Sequence, residues 1–211
     1  MIDNKRIFDI ILSIIGLIFF IPIFVFIYPF FVLLIGCPVI FKQKRIGKDK
    51  KIFTIYKLRT MKRGASSQQD KLKKLNISPY PMFKIKNDPR FTIIGKTLSN
   101  FGIDEIPQII NILKGEMSLV GPRPLPVNEA NSLPSSWDFR YKVRPGIISK
   151  WALSPNRYQS LNEWRKLEKN EINDLIVRNE SKLNWSLKND LSLIFNTFYK
   201  IIIKQLLKGD Y

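Results

Sequence analysis

The hydrophobic positions of this chain are unevenly spread. From Ile10 to Phe41, 32 consecutive residues carry no charge, more than the roughly 20 that a bilayer-spanning helix needs. Pro22 falls inside the run, followed by Pro29, Gly36 and Pro38. A proline within a helix removes a hydrogen bond and kinks the chain, so the pattern predicts a helix bent near Ile21-Pro22. Lys5 and Arg6 precede the run, and Lys42, Lys44 and Arg45 follow it. A helix that crosses once gathers its positive charge on one side. Basic residues at both ends instead predict a re-entrant helix that leaves on the face it entered. Lys5 and Arg6 would hold its start at anionic headgroups. A single crossing is the alternative. The run is too long for a cleaved leader, and no A-x-A-like site follows it.

Beyond the run the pattern changes period. Val39-Ile40-Phe41 and Ile52 to Tyr56 read as strands, with a turn at Gly47-Lys48-Asp49. Residues 62–76 are polar and basic and read as an exposed loop or helix. Asn87-Asp88-Pro89 is a turn, and Phe91 to Leu98 is a further apolar piece. Pro124 to Pro134 is loop-like at its ends, and Pro145-Gly146 signals a turn. Asn162 to Lys182 alternates charges like a solvated helix. Leu187, Leu191, Ile194, Phe195, Phe198, Ile201, Ile202 and Leu206 recur at helical spacing, with Lys188, Lys200, Lys204 and Lys208 between them. That spacing fits an amphipathic helix lying on a membrane surface or an ordinary core-facing helix. The sum is a mixed α/β fold, mainly helical and membrane-associated, with a few short strands. Residues 1–41 form the membrane element and 42–211 a membrane-surface catalytic domain.

Charge narrows the function. Lys and Arg outnumber acids 35 to 17, giving +18, a balance that calls for an anionic partner. The chain has no His, which excludes a His general base, a Ser-His-Asp triad and His-ligated metal. Cys37 is the single cysteine and forms no internal disulfide. Carboxylates are left as the chemical actors.

The candidate carboxylates are Asp104 and Glu105, in IDEIPQIINILKGEMSLVGPRP. Pro107 sits where a helix begins, and Gly115 sits where it ends. Asp104 therefore lies at or just before a helix N-terminus, where free N–H groups favour an anion. Such a residue is often only a cap. Here Gly121-Pro122-Arg123-Pro124 follows and holds an arginine on a stiff backbone. A carboxylate pair near a rigid arginine suits a metal-bound phosphate.

This segment resembles the signature of the bacterial sugar transferases, the small monotopic phosphoglycosyl transferases. The resemblance extends to KRIFDIILS, GCPVIFKQKRIGKDKKIFTIYKLRTM, NDPRFTIIGKTL, VRPG and NWSLKNDLSLI. It implies a re-entrant membrane helix at the cytoplasmic face of a bacterial inner membrane. It also implies transfer of sugar-1-phosphate from a UDP-sugar to polyprenol phosphate, with release of UMP. The family's route passes through a covalent phosphosugar on the Asp of its pair, here Asp104. Glu105 would help hold Mg2+ or steer Asp104. Arg123 is the first candidate for a phosphate clamp, since a guanidinium binds phosphate bidentately. Arg90, Lys57, Arg59 and Arg144 follow at motif positions.

The chain departs from the family pattern in three places. Ser99 stands where a basic residue is usual, Gly102-Ile103 replaces Ser-Leu, and IISKWALSPN replaces a glycine-tryptophan turn, with Trp151 and Arg157 in that region. Two other readings remain. A non-catalytic scaffold would keep the fold without the chemistry. A basic membrane-anchored nucleic-acid binder would use the charge alone, although no nucleic-acid motif appears. The apolar helices leave room for two chains to pair in the bilayer.

Overall fold

A computed structural model describes residues 4–154, 160–180 and 186–207. The first described element is α1 (Asn4–Ile35), a helix that runs unbroken through Pro22 and Pro29. The break expected at Ile21-Pro22 does not interrupt it. A proline deletes only its own N–H bond, leaving the carbonyl four residues back without that donor. Both ends of α1 are fastened to the rest of the chain. At its start Lys5 pairs with Asp190 at 2.8 Å, and Ser118 Oγ donates to Asp9 at 2.7 Å. At its end Phe31 joins Val39, Leu58 and Leu98 in a buried cluster. Ile18, Phe19, Val25, Phe26 and Phe30, in between, are exposed.

β1 (Ile40–Ile46) and β2 (Ile52–Leu58) form an antiparallel hairpin in which Ile40 faces Leu58 and Ile46 faces Ile52. The turn lies where the sequence places it, with Asp49 and Lys50 at φ 55° and 57°. Both strands outlast the apolar stretches that announce them, because the ladder continues through Lys42, Lys44 and Lys57. Strand alternation puts Phe53, Ile55 and Lys57 on one face. Phe53 and Ile55 pack there with Ile112 and Met117. The stretch 62–76 forms two short 3-10 turns, Ala65–Gln68 and Asp70–Leu75.

α2 (Ile93–Phe101) starts from Thr92, whose hydroxyl accepts from Gly95 N at 3.0 Å. Gly95 passes so close to Thr60 that a Cβ there would stand 1.9 Å from the Thr60 carbonyl oxygen. α2 ends at Gly102, and a 3-10 turn (Ile103–Gln108) leads into α3 (Ile109–Leu113). β3 (Ser118–Val120) pairs in parallel with β5 (Gly146–Ile148), and β4 (Leu125–Pro126) adds an antiparallel edge to β1. Between them lie α4 (Val127–Asn131) and a 3-10 segment over Ser135–Lys142. α5 (Lys150–Leu153), α6 (Leu161–Glu180) and α7 (Leu187–Leu207) complete the described chain. Trp137 and Trp164 are buried side by side with ring centroids 4.8 Å apart. On α7, Leu187, Leu191, Phe195, Phe198 and Ile202 are exposed, so the body does not cover its apolar face. Arg157, Trp185 and Lys208 lie outside the described residues.

Candidate active site

Gly102 sets up the site. Its φ of 70° closes α2 in the left-handed region that glycine enters without strain. The chain turns at once into the 3-10 turn, so Asp104 and Glu105 both fall in its first turn. Pro107 fits inside this turn, and α3 begins two residues later than Pro107 itself. β2 packs against the turn and brings Lys57 to the carboxylates. Lys57 Nζ lies 2.6 Å from Glu105 Oε1 and 3.9 Å from Asp104 Oδ2. Arg123 Nη2 donates to the same Glu105 Oε1 at 2.8 Å. Asp104, Glu105, Lys57 and Arg123 thus meet in one place.

The two carboxylates differ in character. Burial raises the pKa of Asp104, Lys57 opposes that rise, and the neighbouring Glu105 charge adds to it. Burial alone would raise Glu105 as well, but Arg123 and Lys57 outweigh it and hold Glu105 well below the usual carboxylate range. Burial lowers the pKa of Lys57, while Glu105 pulls it back up. Glu105 is therefore a locked anion carrying two cations. Asp104 is the less encumbered, more basic partner.

The remaining expected residues have other partners. Arg59 donates to the carbonyls of Ile35 and Gly36, at the end of α1. Arg90 grips Asp88 through Nε at 2.8 Å and through Nη2, and donates to the Ala65 carbonyl at 3.2 Å. Arg144 Nε donates to Gly115 O at 2.9 Å. These guanidiniums satisfy helix ends and a turn, where free carbonyls attract cations, and the structure does not bring them to Asp104 and Glu105. Lys5 and Arg6 are also engaged with protein. Lys5 pairs with Asp190, and Arg6 donates to Ile112 O at 2.6 Å and Leu113 O at 3.0 Å. They tie α1 to α7 and α3 rather than standing clear as headgroup anchors. Pro22 lies inside α1.

Sequence reading missed Arg45, Arg140 and Glu168. Arg45 Nη1 donates to Pro124 O at 2.8 Å. Burial and the nearby Arg123 charge lower its pKa to about 10. Arg140 Nη2 donates to Arg123 O at 2.8 Å and to Glu168 Oε1 at 3.0 Å. Arg45 entered the sequence reading only as a basic flank of the apolar run, and nothing local marked Arg140 or Glu168, which lie in stretches already rich in charge.

The chain matches the model of a family described as bacterial sugar transferase over residues 2–204. It is 36% identical over 200 residues to the galactosyl transferase CpsE of Streptococcus agalactiae, covering 94% of this chain and 42% of that protein. It is 33% identical over 212 residues to the undecaprenyl-phosphate galactose phosphotransferase of Salmonella typhimurium, covering 95% and 40%. It is 29% identical over 212 residues to the exopolysaccharide production protein ExoY of Sinorhizobium fredii, covering 99% and 88%. The chain thus spans about two-fifths of the first two relatives and most of the third.

Proposed function

The chain belongs to the bacterial sugar transferase family, and on that premise we propose that it transfers sugar-1-phosphate from a UDP-sugar to polyprenol phosphate for polysaccharide assembly. The observation that carries this reading is the buried Asp104 beside a Glu105 that gathers Lys57 and Arg123 at one oxygen. An Asp104 oxygen attacks the sugar-bearing phosphorus, and the bond between that phosphorus and the bridging oxygen breaks. UMP leaves with the bridging oxygen, and the phosphosugar stays on Asp104. An oxygen of polyprenol phosphate then attacks that phosphorus, releases the Asp104 carboxylate and forms the polyprenyl diphosphosugar.

The chain's residues divide the work. Asp104 is the nucleophile, with its basicity raised by burial. Arg123 and Lys57 neutralise and orient the diphosphate as it displaces them from Glu105. Covalent capture means that the water-soluble donor and the bilayer-bound acceptor need not share the site. Asp104 and Glu105 fit the one or two carboxylates that Mg2+ takes from a protein when phosphates supply further ligands. Bound there, the ion would neutralise charge at phosphorus.

The membrane reading rests on α1 and α7. A 32-residue helix is about 48 Å long, yet both ends of α1 are fastened to the same body. With both ends held by one body, α1 fits a helix that bends where Pro22 removes a hydrogen bond, enters the bilayer with its exposed middle in the acyl region and returns to the same face. The uncovered apolar side of α7 lies at the same interface. Residues 1–41 then form the membrane element and 42–211 the catalytic part, on the cytoplasmic face where nucleotide sugars are found.

The test is UMP release by the purified full chain with Mg2+ and a panel of UDP-sugars, with and without polyprenol phosphate, alongside Asp104→Asn. Polyprenol-dependent release that disappears in the variant supports the reading. Transfer that survives the substitution rejects it.

A further inference from the structure

We infer that Arg140, braced by Glu168, is a positioning residue that fixes Arg123 against the donor's phosphates. The inference rests on Arg123 being a phosphate ligand, as proposed above.

The turn that carries Arg123 is held from outside. Pro122 and Pro124 have no N–H to donate. Its three successive carbonyls are nevertheless all engaged. Pro122 O accepts from Gly146 N at 2.9 Å, Arg123 O from Arg140 Nη2 at 2.8 Å, and Pro124 O from Arg45 Nη1 at 2.8 Å. The Gly146 bond is ordinary backbone pairing beside β5. The other two require arginines brought from distant parts of the chain.

Arg140 is the more committed of the two. Its side chain and that of Glu168 are 3% and 1% exposed. Its guanidinium carbon lies 5.5 Å from the Trp164 ring centroid, so α6 supplies both the acid and the aromatic wall. Such a pair is a poor device for stability. Desolvating two charges costs more than a well-packed apolar pair of the same volume, and here the compensation is incomplete. Arg140 Nη1 and Glu168 Oε2 have no hydrogen-bond partner among the described residues. What an apolar pair lacks is a donor for Arg123 O. A single nitrogen, Arg140 Nη2, bonds Glu168 and Arg123 O together, and Arg123 in turn reaches Glu105. The chain Glu168–Arg140–Arg123–Glu105 therefore links α6 to the 3-10 turn of Asp104. Small errors in such placement are costly to a phosphate clamp.

The experiment is a double-mutant cycle on the full chain in detergent or lipid, comparing Arg140→Gln, Arg123→Ala and the double variant. UDP binding and the donor KM and kcat are the readouts. Arg140→Gln is expected to weaken UDP binding and raise the donor KM roughly 10- to 100-fold. In the Arg123→Ala background the same change should alter either by no more than about twofold. A loss of equal size in both backgrounds overturns the inference, as does an unchanged UDP affinity in Arg140→Gln. If Arg140→Gln does not fold, Glu168→Gln replaces it in the cycle under the same criteria. Strong coupling together with transfer that survives Asp104→Asn would reject the proposed reaction and keep the strut. Independent effects with Asp104-dependent transfer would do the reverse. A wild-type chain that binds no UDP overturns both.

Discussion

Arg123 reaches back 18 positions to donate to Glu105 Oε1 at 2.8 Å, the oxygen that also takes Lys57 at 2.6 Å. One carboxylate thus stores the two cations that a diphosphate would draw on. Glu105→Gln removes the charge and leaves Lys57 and Arg123 repelling each other. Folding stability is expected to fall by roughly 2–3 kcal/mol, less than for a fully buried pair because Arg123 is 35% exposed. Lys57, already lowered by burial and raised by Glu105, should titrate at lower pH. The alkaline limb of kcat/KM is therefore expected to move down in the variant. A limb that stays in place would show that Lys57 does not govern it.

Asp104→Asn separates chemistry from stability. Burial disfavours the Asp104 carboxylate, so a neutral amide of the same shape relieves that cost. Transfer should fall to background while thermal unfolding near neutral pH occurs at the same or a higher temperature. Lower stability together with lost transfer would mean that Asp104 serves the fold.

The sequence made some of this arrangement legible and hid the rest for physical reasons. The apolar run, the hairpin and the Asp-Glu pair were readable because each obeys a local rule of periodicity, turn chemistry or motif. The 3-10 turn over Ile103–Gln108 was not distinguished from the start of a helix, since Pro107 suits both. Arg59, Arg90 and Arg144 matched motif positions, yet their hydrogen bonds go to helix ends and a turn. A motif records which residues recur, and it does not say which carbonyl a guanidinium meets. Arg140 and Glu168 were missed because their pairing spans 28 positions and only tertiary packing creates it.

Arg59 and Arg123 should therefore behave differently. Arg59 bonds the carbonyls of Ile35 and Gly36, at and just past the end of α1, so Arg59→Ala is expected to lower stability by about 1–3 kcal/mol with the donor KM little changed. Arg123→Ala should raise the donor KM with a smaller effect on unfolding. Thermal denaturation beside donor titration checks both. A large KM increase in Arg59→Ala would return Arg59 to the phosphate site.

The topology of α1 is testable with the protein's own thiol. Cys37 is the sole cysteine and is exposed, just after the end of α1. In oriented vesicles an impermeant maleimide should label Cys37 from the cytoplasmic side. In a Cys37→Ser background, Asn4→Cys should label from that same side. Labelling from opposite sides would establish a single crossing and defeat the re-entrant reading.

Glu171 gives the pH dependence its sign. It is buried on α6, where Lys150 N donates to Oε1 at 3.3 Å, and Glu168, Lys150 and Lys5 are the charges that act on it. Burial pushes its pKa from 4.5 up to about 8. Between those values the folded chain keeps a proton on Glu171 that the unfolded chain has lost. The folded state binds more protons there, so this group's contribution to stability declines as pH rises from about 4.5 to about 8, then levels off. Glu171→Gln keeps the neutral shape and removes the titration. The melting temperatures of variant and wild type should agree near pH 4.5 and diverge toward pH 8, with the variant higher. Acids that do not act on Glu171 affect both proteins alike, so the difference curve reports Glu171 together with its coupling to Glu168. Parallel curves across that window would show that the Glu171 carboxyl ionises in the folded chain as readily as in water.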